Sequence, residues 1–266
     1  MRPFTLLTRG GAVVFTAALV IAACGDDDTV GPTAAFAEPA DSAAVHGAVQ
    51  LAMTADGITI EEAGDARAGA GHFHVIADAG CLEAGTAIGK DADHVHFGGG
   101  QSEGVIYLEP GDHELCLQVG DGVHSALSVT DTVAITVGID SRDEWCEVAR
   151  QLDELSAATD DLEEFAAAQV GFENMARLLG QLSDAIEFVD DEPESEIGGV
   201  TASPRGHVNA SLAFGTNLAR AFTTADSFDE AFEEVDKLYA DFPDDTEAEL
   251  PGGAWIEEHC GVDLED

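Results

Sequence analysis

TDTVAITVGIDSRDEW, residues 130–145, contains the point at which the periodicity of this 266-residue chain changes. Its first half alternates valine or isoleucine with smaller or polar residues, which is the spacing of one face of a β-strand. Ser141 then precedes Glu144 by three positions, the capping-box pattern in which the two side chains satisfy free backbone N–H groups at the start of a helix. The stretch therefore predicts that a β-region ends, and a helical region begins, near residue 140.

The β-region is predicted to span residues 43–139. Short apolar runs are separated there by glycine-bearing turns, and no stretch has the length and period of a helix. About seven strands in this length favour a small antiparallel β-sandwich of immunoglobulin-like size.

The helical region is predicted to span residues 140–266. Apolar residues recur there at intervals of three and four, and a second capping box begins at Ser227. The segment 190–204, rich in acidic residues, glycine and proline, is predicted to be a loop. We expect a bundle of four or five helices whose aromatic and leucine stripes form its core. The fold class is thus α+β multidomain, a small antiparallel β-sandwich followed by an all-α helical bundle.

The amino terminus has the features of a lipoprotein signal peptide, predicted over residues 1–23. Arg2 and Arg9 precede a short apolar run that ends at Cys24 and is too short to span a bilayer. The tetrad that ends in Cys24 resembles the bacterial lipobox, which implies cleavage before this cysteine and a lipid on its thiol. Residues 24–42 are acidic and rich in alanine and proline, and we expect a solvated tether. These features predict an extracytoplasmic protein that is anchored to the cell membrane through the lipid.

Four further cysteines fit an exported protein, because disulfide bonds persist outside the cytoplasm. Four cysteines allow three pairings. We favour Cys81–Cys116 and Cys146–Cys260, because each pair then lies within one of the two regions.

The formal net charge of −43 limits the kinds of partner that the chain can bind. Such a chain repels nucleic acid and anionic lipid headgroups, so we expect neither as a partner. The sequence also lacks a phosphate loop, a dinucleotide fingerprint, a zinc-protease motif and a complete calcium loop. Ser102 lies in a G-x-S-x-G match, but it precedes a predicted strand, whereas a nucleophile elbow requires a helix there. We therefore expect a protein that is not an enzyme.

Six histidines between residues 72 and 124 are the candidate ligands. Alternate residues of a strand share a face, so His72 shares a face with His74, and His94 shares one with His96. If the two strands pair, the imidazoles converge, and neutral imidazole suits copper or zinc. Loop residues His113 and His124 are candidates for support. Two alternatives stay open: the histidines form a structural hydrogen-bonded network, or they respond to pH.

Three stretches of the β-region carry a family resemblance: GHFHVIAD at 71–78, DHVHFGGGQSEG at 93–104 and VIYLEPGDHELCLQVGDGVH at 105–124. Over roughly residues 47–138 the sequence resembles the bacterial domain of unknown function 4399. The matching positions are Gly71, His72, His74, Asp78, His96, Phe97, Gly98, Gly100, Gln101, Glu103, Pro110, Gly111, His113, Gly120, Asp121 and His124. The resemblance implies an exported β-domain of no established activity, here within a lipoprotein that has an appended helical region. Phe73 replaces a histidine of the family pattern, which removes one candidate ligand.

The sequence thus predicts a non-enzymatic, lipid-anchored cell-envelope protein whose histidine-rich β-domain binds copper or zinc. The alternative is a structural or interaction module in which the histidines form a structural network. In that case the helical domain contacts an unidentified envelope protein.

Overall fold

The computed structural model of the chain describes residues 31–89, 91, 93–160, 162–197, 200–240 and 252–262. The predicted signal peptide, the lipid site at Cys24 and the first residues of the predicted tether lie outside these ranges. Pro32–Asp266 belongs to one compact unit. Among the described helices, none combines the length and the hydropathy needed to cross a membrane.

The β-region is a two-sheet sandwich, as the sequence predicted. Its strands are β1 Thr33–Glu38, β2 Ala43–Val45, β3 Val49–Asp56, β4 Thr59–Ile60, β5 Ala70–Ala77, β6 His94–Phe97, β7 Glu103–Ile106, β8 Gly111–Gly120 and β9 Ala126–Val137. One sheet has the order β1-β3-β7, and the larger sheet has the order β2-β9-β8-β5-β4, with β6 paired to the same edge of β5 as β4. The pairings are antiparallel except for two short parallel ones, β2 with β9 and β4 with β5.

The apolar core of the sandwich lies between the two sheets. Phe73 and Val75 of β5 and Leu115 and Leu117 of β8 enter it from the larger sheet, and Leu51 of β3 enters it from the smaller one. Each of these side chains is almost fully buried. Because successive strand residues point to opposite sides, the even-numbered residues of β5 face away from this core.

The predicted tether is wrong from Thr33 onward. Residues Thr33–Glu38 form β1, which pairs with β3. Ala34 is buried in the sandwich core and Phe36 packs against it, while the Phe36 N–H donates to Asp131. The sequence analysis missed this strand because its composition is alanine-rich. Its pairing with β3 is a tertiary contact that the segment's own composition does not reveal.

The helical region contains α1 Arg142–Asp160, α2 Phe165–Asp184, α3 Pro204–Thr224, α4 Phe228–Ala240 and α5 Gly253–Cys260, with a short 3-10 helix at Ile186–Phe188. The predicted loop at 190–204 also contains a two-stranded hairpin, β10 Ser195–Ile197 and β11 Val200–Ala202. Trp145 is fully buried in the bundle core, where its indole N–H donates to the Leu182 carbonyl.

Both predicted capping boxes begin helices, with one difference of detail. The hydroxyl of Ser141 accepts from the Glu144 N–H, and the hydroxyl of Ser227 accepts from the Glu230 N–H. Each glutamate carboxylate accepts from the N–H of the residue before the serine rather than from the serine itself. The serine and the glutamate still satisfy free backbone N–H groups at the helix start, but the second N–H belongs to the residue before the serine.

The two predicted disulfides, Cys81–Cys116 and Cys146–Cys260, are present, with Cα–Cα distances of 5.4 and 4.9 Å. Gln181 of α2 fastens the helical region to the β-region. Its side-chain amide donates to the carbonyls of Gly47 and Leu108 and its oxygen accepts from the Gly47 N–H, all in buried positions.

Candidate metal centre

Strand register brings three histidines together on the outer face of the larger sheet. All eight residues of β5 are buried, and His72 and His74 are 0% exposed. In the β5–β6 pairing His74 lies directly opposite His96. The condition set in the sequence analysis, that the two strands pair, is therefore met, and three of the four paired histidines converge.

A fourth imidazole comes from the turn between β8 and β9. His124 adopts a left-handed backbone conformation with φ of 66°. The Asp121 carboxylate shapes this turn by accepting from the N–H groups of Val123 and Ser125, and the Asp121 carbonyl accepts from His124 N. The turn places the ring of His124 against the three strand-borne rings.

The four rings, which we call the histidine cluster, are His72, His74, His96 and His124. The centroids of all six ring pairs are 4.6 to 5.8 Å apart. The Nε2 atoms of His72 and His74 are 3.0 Å apart, as are those of His96 and His124. One ligand nitrogen from each of His72, His74 and His96 lies within 4.8 Å of the others, so these three could hold a metal ion.

Two glycines leave the space that the rings occupy. A Cβ atom at Gly98 would lie 2.0 Å from the His96 ring, and one at Gly120 would lie 2.7 Å from Nε2 of His74. Neither position therefore accepts a side chain without displacing an imidazole. The sequence analysis did not identify these residues as part of a site, although both match the family pattern.

Residues 81–89, which we call the cover segment, run along the histidine face of the sheet from Cys116 to His124. Ile88 is the buried side chain of this segment, and its Cδ1 and Nε2 of His74 lie 3.1 and 2.7 Å from the place that a Cβ atom on Gly120 would take. The Ile88 N–H donates to the carbonyl of His124. The sequence analysis missed this segment. The one available signal was that Cys116, Gln118 and Gly120 alternate along β8 and therefore share one face, on which a cysteine needs a bonding partner.

The electrostatics of the cluster favour neutral rings at His72 and His74. Burial, followed by the neighbouring imidazoles His96 and His124, lowers the pKa of His72 from 6.5 to about 4, against a small opposing effect of Asp121. Burial and the same kind of neighbours lower the pKa of His74 to about 3. Neutral imidazole is the form that binds metal ions.

Two predicted ligands, His94 and His113, lie outside the cluster. The prediction that they share one site with the other histidines is therefore wrong. His94 lies opposite Ile76, two positions further along β5, and its Nδ1 contacts the Asp91 carboxylate at 2.8 Å. His113 lies on β8, where Nδ1 contacts Asp78 and Nε2 contacts the Glu109 carbonyl, both at 2.7 Å. Acidic and carbonyl oxygens hold both rings in place.

Ser102, the centre of the G-x-S-x-G match, lies immediately before β7. Its carbonyl accepts from the N–H of Met53, and the following residues pair with β3 as a strand. The segment thus lacks the strand-turn-helix geometry of a nucleophile elbow.

Residues 51–138 match the family model described as a domain of unknown function, DUF4399. The match confirms the resemblance and includes all four residues of the histidine cluster. The helical region follows the DUF4399 segment.

Among solved structures, the chain is similar to the fibronectin(III)-like modules of Clostridium thermocellum CbhA. The sequence identity is 22% over 40% of this chain, with a TM-score of 0.22. The match spans 46% of that chain. A search of curated proteins found no match.

Proposed function

We propose that this protein is a non-enzymatic, lipid-anchored protein of the cell envelope that binds one copper or zinc ion in its DUF4399 segment. His72, His74 and His96 are the proposed ligands on the strands, and His124 is the proposed fourth ligand from its turn. His94 and His113 are no longer included.

The observation that carries this proposal is the convergence of His72, His74 and His96, each of which offers a ligand nitrogen within 4.8 Å of the others. Nδ1 of His72 and Nδ1 of His74 are buried, and neither has a hydrogen-bond partner among the residues that the structure describes. In a neutral pair joined by one Nε2–H···Nε2 bond, one Nδ1 keeps an unused proton and the other an unused lone pair. Buried polar atoms without partners cost about 1–3 kcal/mol each. An ion bonded at Nδ1 of either ring would remove that ring's share of the cost, whereas an ion bonded at Nε2 leaves each Nδ1–H unpaired and must offset the cost through its metal–nitrogen bonds.

The spacing of the nitrogens suits such an ion. Zinc–nitrogen bonds of about 2.0–2.1 Å in a tetrahedral site place the ligand nitrogens about 3.3 Å apart. The two closest Nε2 pairs of the cluster are 3.0 Å apart. Binding therefore requires these two pairs to move apart by a few tenths of an ångström and the wider pairs among His72, His74 and His96, which lie within 4.8 Å, to close around the ion. An all-imidazole set suits copper and zinc better than magnesium or calcium, which prefer oxygen ligands.

The cellular location rests on the disulfides and on the amino-terminal sequence. Two disulfides indicate an oxidising, extracytoplasmic environment. The lipobox-like tetrad before Cys24 supports attachment of a lipid there. In cells fed a labelled fatty acid, the wild-type protein should carry label and partition into detergent, whereas a Cys24→Ser variant should do neither. Label on the Cys24→Ser variant would contradict the anchor.

Metal binding is tested by titrating Cu(II) and Zn(II) into the full-length protein in detergent. We expect one ion per chain, and X-ray absorption should show imidazole nitrogens as its ligands. His96→Asn and His124→Asn, at half-buried positions, should each weaken binding by about 10-fold or more, because each removes one bond to the ion. His94→Asn is the matched control on the same strand, and it should bind like the wild type. Equal affinities in all four proteins would refute the proposal.

The second candidate function is a structural network, as the sequence analysis allowed. The two Nε2–Nε2 contacts favour it, because each is short enough for a hydrogen bond between rings. In this case the helical region serves an envelope protein partner and the cluster only stabilises the fold. A wild-type protein that binds neither ion, yet loses stability when the cluster is replaced by apolar residues, would favour this function.

A further inference from the structure

The two disulfides differ in accessibility. Cys81 is exposed, whereas its partner Cys116 is fully buried. Cys146 is buried and Cys260 is half-buried. Cys81 is thus the most exposed of the four bonded cysteines, and thiol exchange requires access to the attacked sulfur.

The Cys81–Cys116 disulfide lies on the same face of the larger sheet as the histidine cluster. In the β5–β8 pairing, Ile76, His74 and His72 lie opposite Cys116, Gln118 and Gly120. Alternate residues of paired strands share a face, so Cys116 projects from the histidine face of the sheet. The bond to Cys81 attaches the beginning of the cover segment to this face.

Gln118 makes the neighbouring attachment. Its side-chain oxygen accepts from the Leu82 N–H and its nitrogen donates to the Leu82 carbonyl. The same nitrogen donates to the Leu127 carbonyl. Because Gln118 bonds the residue next to Cys81, the disulfide and this amide together fix the first turn of the cover segment on β8.

The other end of the cover segment supports a ligand. Ile88 donates to the His124 carbonyl at 2.8 Å, and its side chain and the His74 ring both border the space above Gly120. Gly85 donates to Ala126, and Ala126 donates to Thr86. The side chains of residues 83–87 are exposed. With few buried apolar contacts of its own, the segment depends on these attachments, and loss of the disulfide leaves only the hydrogen bonds to resist its local opening.

We propose that the Cys81–Cys116 disulfide regulates retention of the metal ion by the histidine cluster; this inference rests on the proposed function. In the oxidised protein the cover segment encloses His74 and holds His124 in place. A dithiol reductant attacks the sulfur of Cys81, and Cys116 leaves as a thiolate. The second thiol of the reductant then attacks the mixed disulfide. The protein gains two electrons and two protons as two thiols, and the reductant becomes a disulfide. The freed segment moves away and the ion leaves faster.

The coupling is reciprocal. If the closed cover segment favours the bound ion, the bound ion must favour the closed segment by the same factor, and hence the intact disulfide. Metal should therefore protect Cys81–Cys116 against reduction and leave the reduction of Cys146–Cys260 unchanged. A purely structural disulfide would not show this selective protection.

The test uses full-length protein loaded with Zn(II) and measures transfer of the ion to a chromogenic chelator. The double variant Cys81→Ser/Cys116→Ser should release the ion faster by about 10-fold or more, a range typical of lost support around metal ligands. The matched control Cys146→Ser/Cys260→Ser should release it within about 2-fold of the wild-type rate, because its bond is remote from the cluster. Ile88→Ala keeps both disulfides and should also accelerate release, which covers the case in which the first variant folds poorly.

A second measurement tests the protection directly. The wild-type protein is reduced with a phosphine, with and without Zn(II), and the freed cysteines are alkylated and located by mass spectrometry. Slower labelling of Cys81 and Cys116 alone in the presence of the ion supports the inference. Release at the wild-type rate from both the Cys81→Ser/Cys116→Ser and Ile88→Ala variants would overturn it while leaving the metal site intact. Failure of the wild-type protein to take up any ion would overturn both proposals.

Discussion

Gln181 of the helical region and the buried histidines of the β-region differ in how their polar atoms are paired, although His207 of the helical region also has a buried Nδ1 without a partner among the described residues. Gln181 of the helical region satisfies all of its buried bonds with backbone groups of Gly47 and Leu108. His72 and His74 of the β-region, equally buried, hydrogen-bond each other through Nε2, while Nδ1 of each ring has no partner in the described part of the chain.

Gln181 has complete hydrogen bonds to the backbone, whereas each of these rings leaves one buried nitrogen unpaired within the described ranges. A buried side chain whose bonds are complete joins two segments in one arrangement, and its removal leaves backbone groups unpaired. Rings whose polar atoms stay unpaired stabilise the folded chain little by themselves. On the proposed function, a bound ion accounts for the close approach of the four rings. The following predictions test the comparison, beginning with the largest effect.

Gln181→Leu should lower the free energy of unfolding by about 3–5 kcal/mol. The substitution keeps most of the volume but leaves two carbonyls and one N–H buried without partners, at about 1–3 kcal/mol each. Urea unfolding measures the effect, and Gln50→Leu, at an exposed position of β3, is the matched control. A loss below about 1 kcal/mol would show that water replaces the lost bonds at this junction.

The metal-free protein should lose stability on acidification, on the order of a few kcal/mol. His72 and His74 have a lowered pKa in the folded protein, about 4 and about 3, against 6.5 as the ordinary value. Below pH 6.5 these two histidines become protonated in the unfolded chain but stay neutral in the folded chain. Their contribution to the free energy of unfolding, fully present above pH 6.5, is therefore lost as the pH falls toward 4 and then 3. Unfolding curves at several pH values measure this loss, and His72→Leu/His74→Leu should flatten it.

Ser141→Ala should lower the free energy of unfolding by about 1 kcal/mol, the usual value of a helix cap. The hydroxyl accepts the Glu144 N–H at the start of α1, in a half-buried position where water can partly replace it. Ser227→Ala should have a similar effect at α4. The control is Ser128→Ala on an exposed site of β9, and a control as destabilising as Ser141→Ala would argue against capping.

The smallest expected change is in the cluster itself. His72→Leu/His74→Leu should alter the free energy of unfolding at pH 7.5 in the presence of a chelator by about 1 kcal/mol or less, because unpaired polar atoms are exchanged for apolar ones of similar size. Saturating Zn(II) should stabilise the wild-type protein by about 4 kcal/mol at a thousandfold excess over Kd and leave the variant unchanged. A large loss of stability in the chelator would instead support the structural network.

Local patterns in the sequence predicted much of the fold. Alternation of apolar residues and the capping boxes predicted the change from β to helix at Ser141, because side-chain periodicity is a property of neighbouring residues. The strand β1 and the hairpin β10–β11 were missed, because short segments such as Thr33–Glu38 become strands only when a partner strand lies beside them. The two short parallel pairings, β2 with β9 and β4 with β5, were missed for the same reason, because each depends on a partner strand.

The histidine cluster was predicted in part. The His-x-His spacing placed His72 with His74 on one face, and strand geometry alone guarantees this. Asp91 contacts His94 at the beginning of β6, and the register sets His96, not His94, opposite His74. A strand pattern contains no information on register with a distant partner, so the sequence could not choose between them.

The amino-acid sequence by itself determined the two kinds of region, the faces on which the paired histidines lie and the supply of cysteines for two bonds. Only the tertiary structure decided that His124 joins the rings, that Gly98 and Gly120 leave room for them and that the cover segment encloses them. The physical reason is range. Periodicity and capping act over a few residues, whereas a site closes only when sheet register and turn geometry bring distant residues to the same few ångströms.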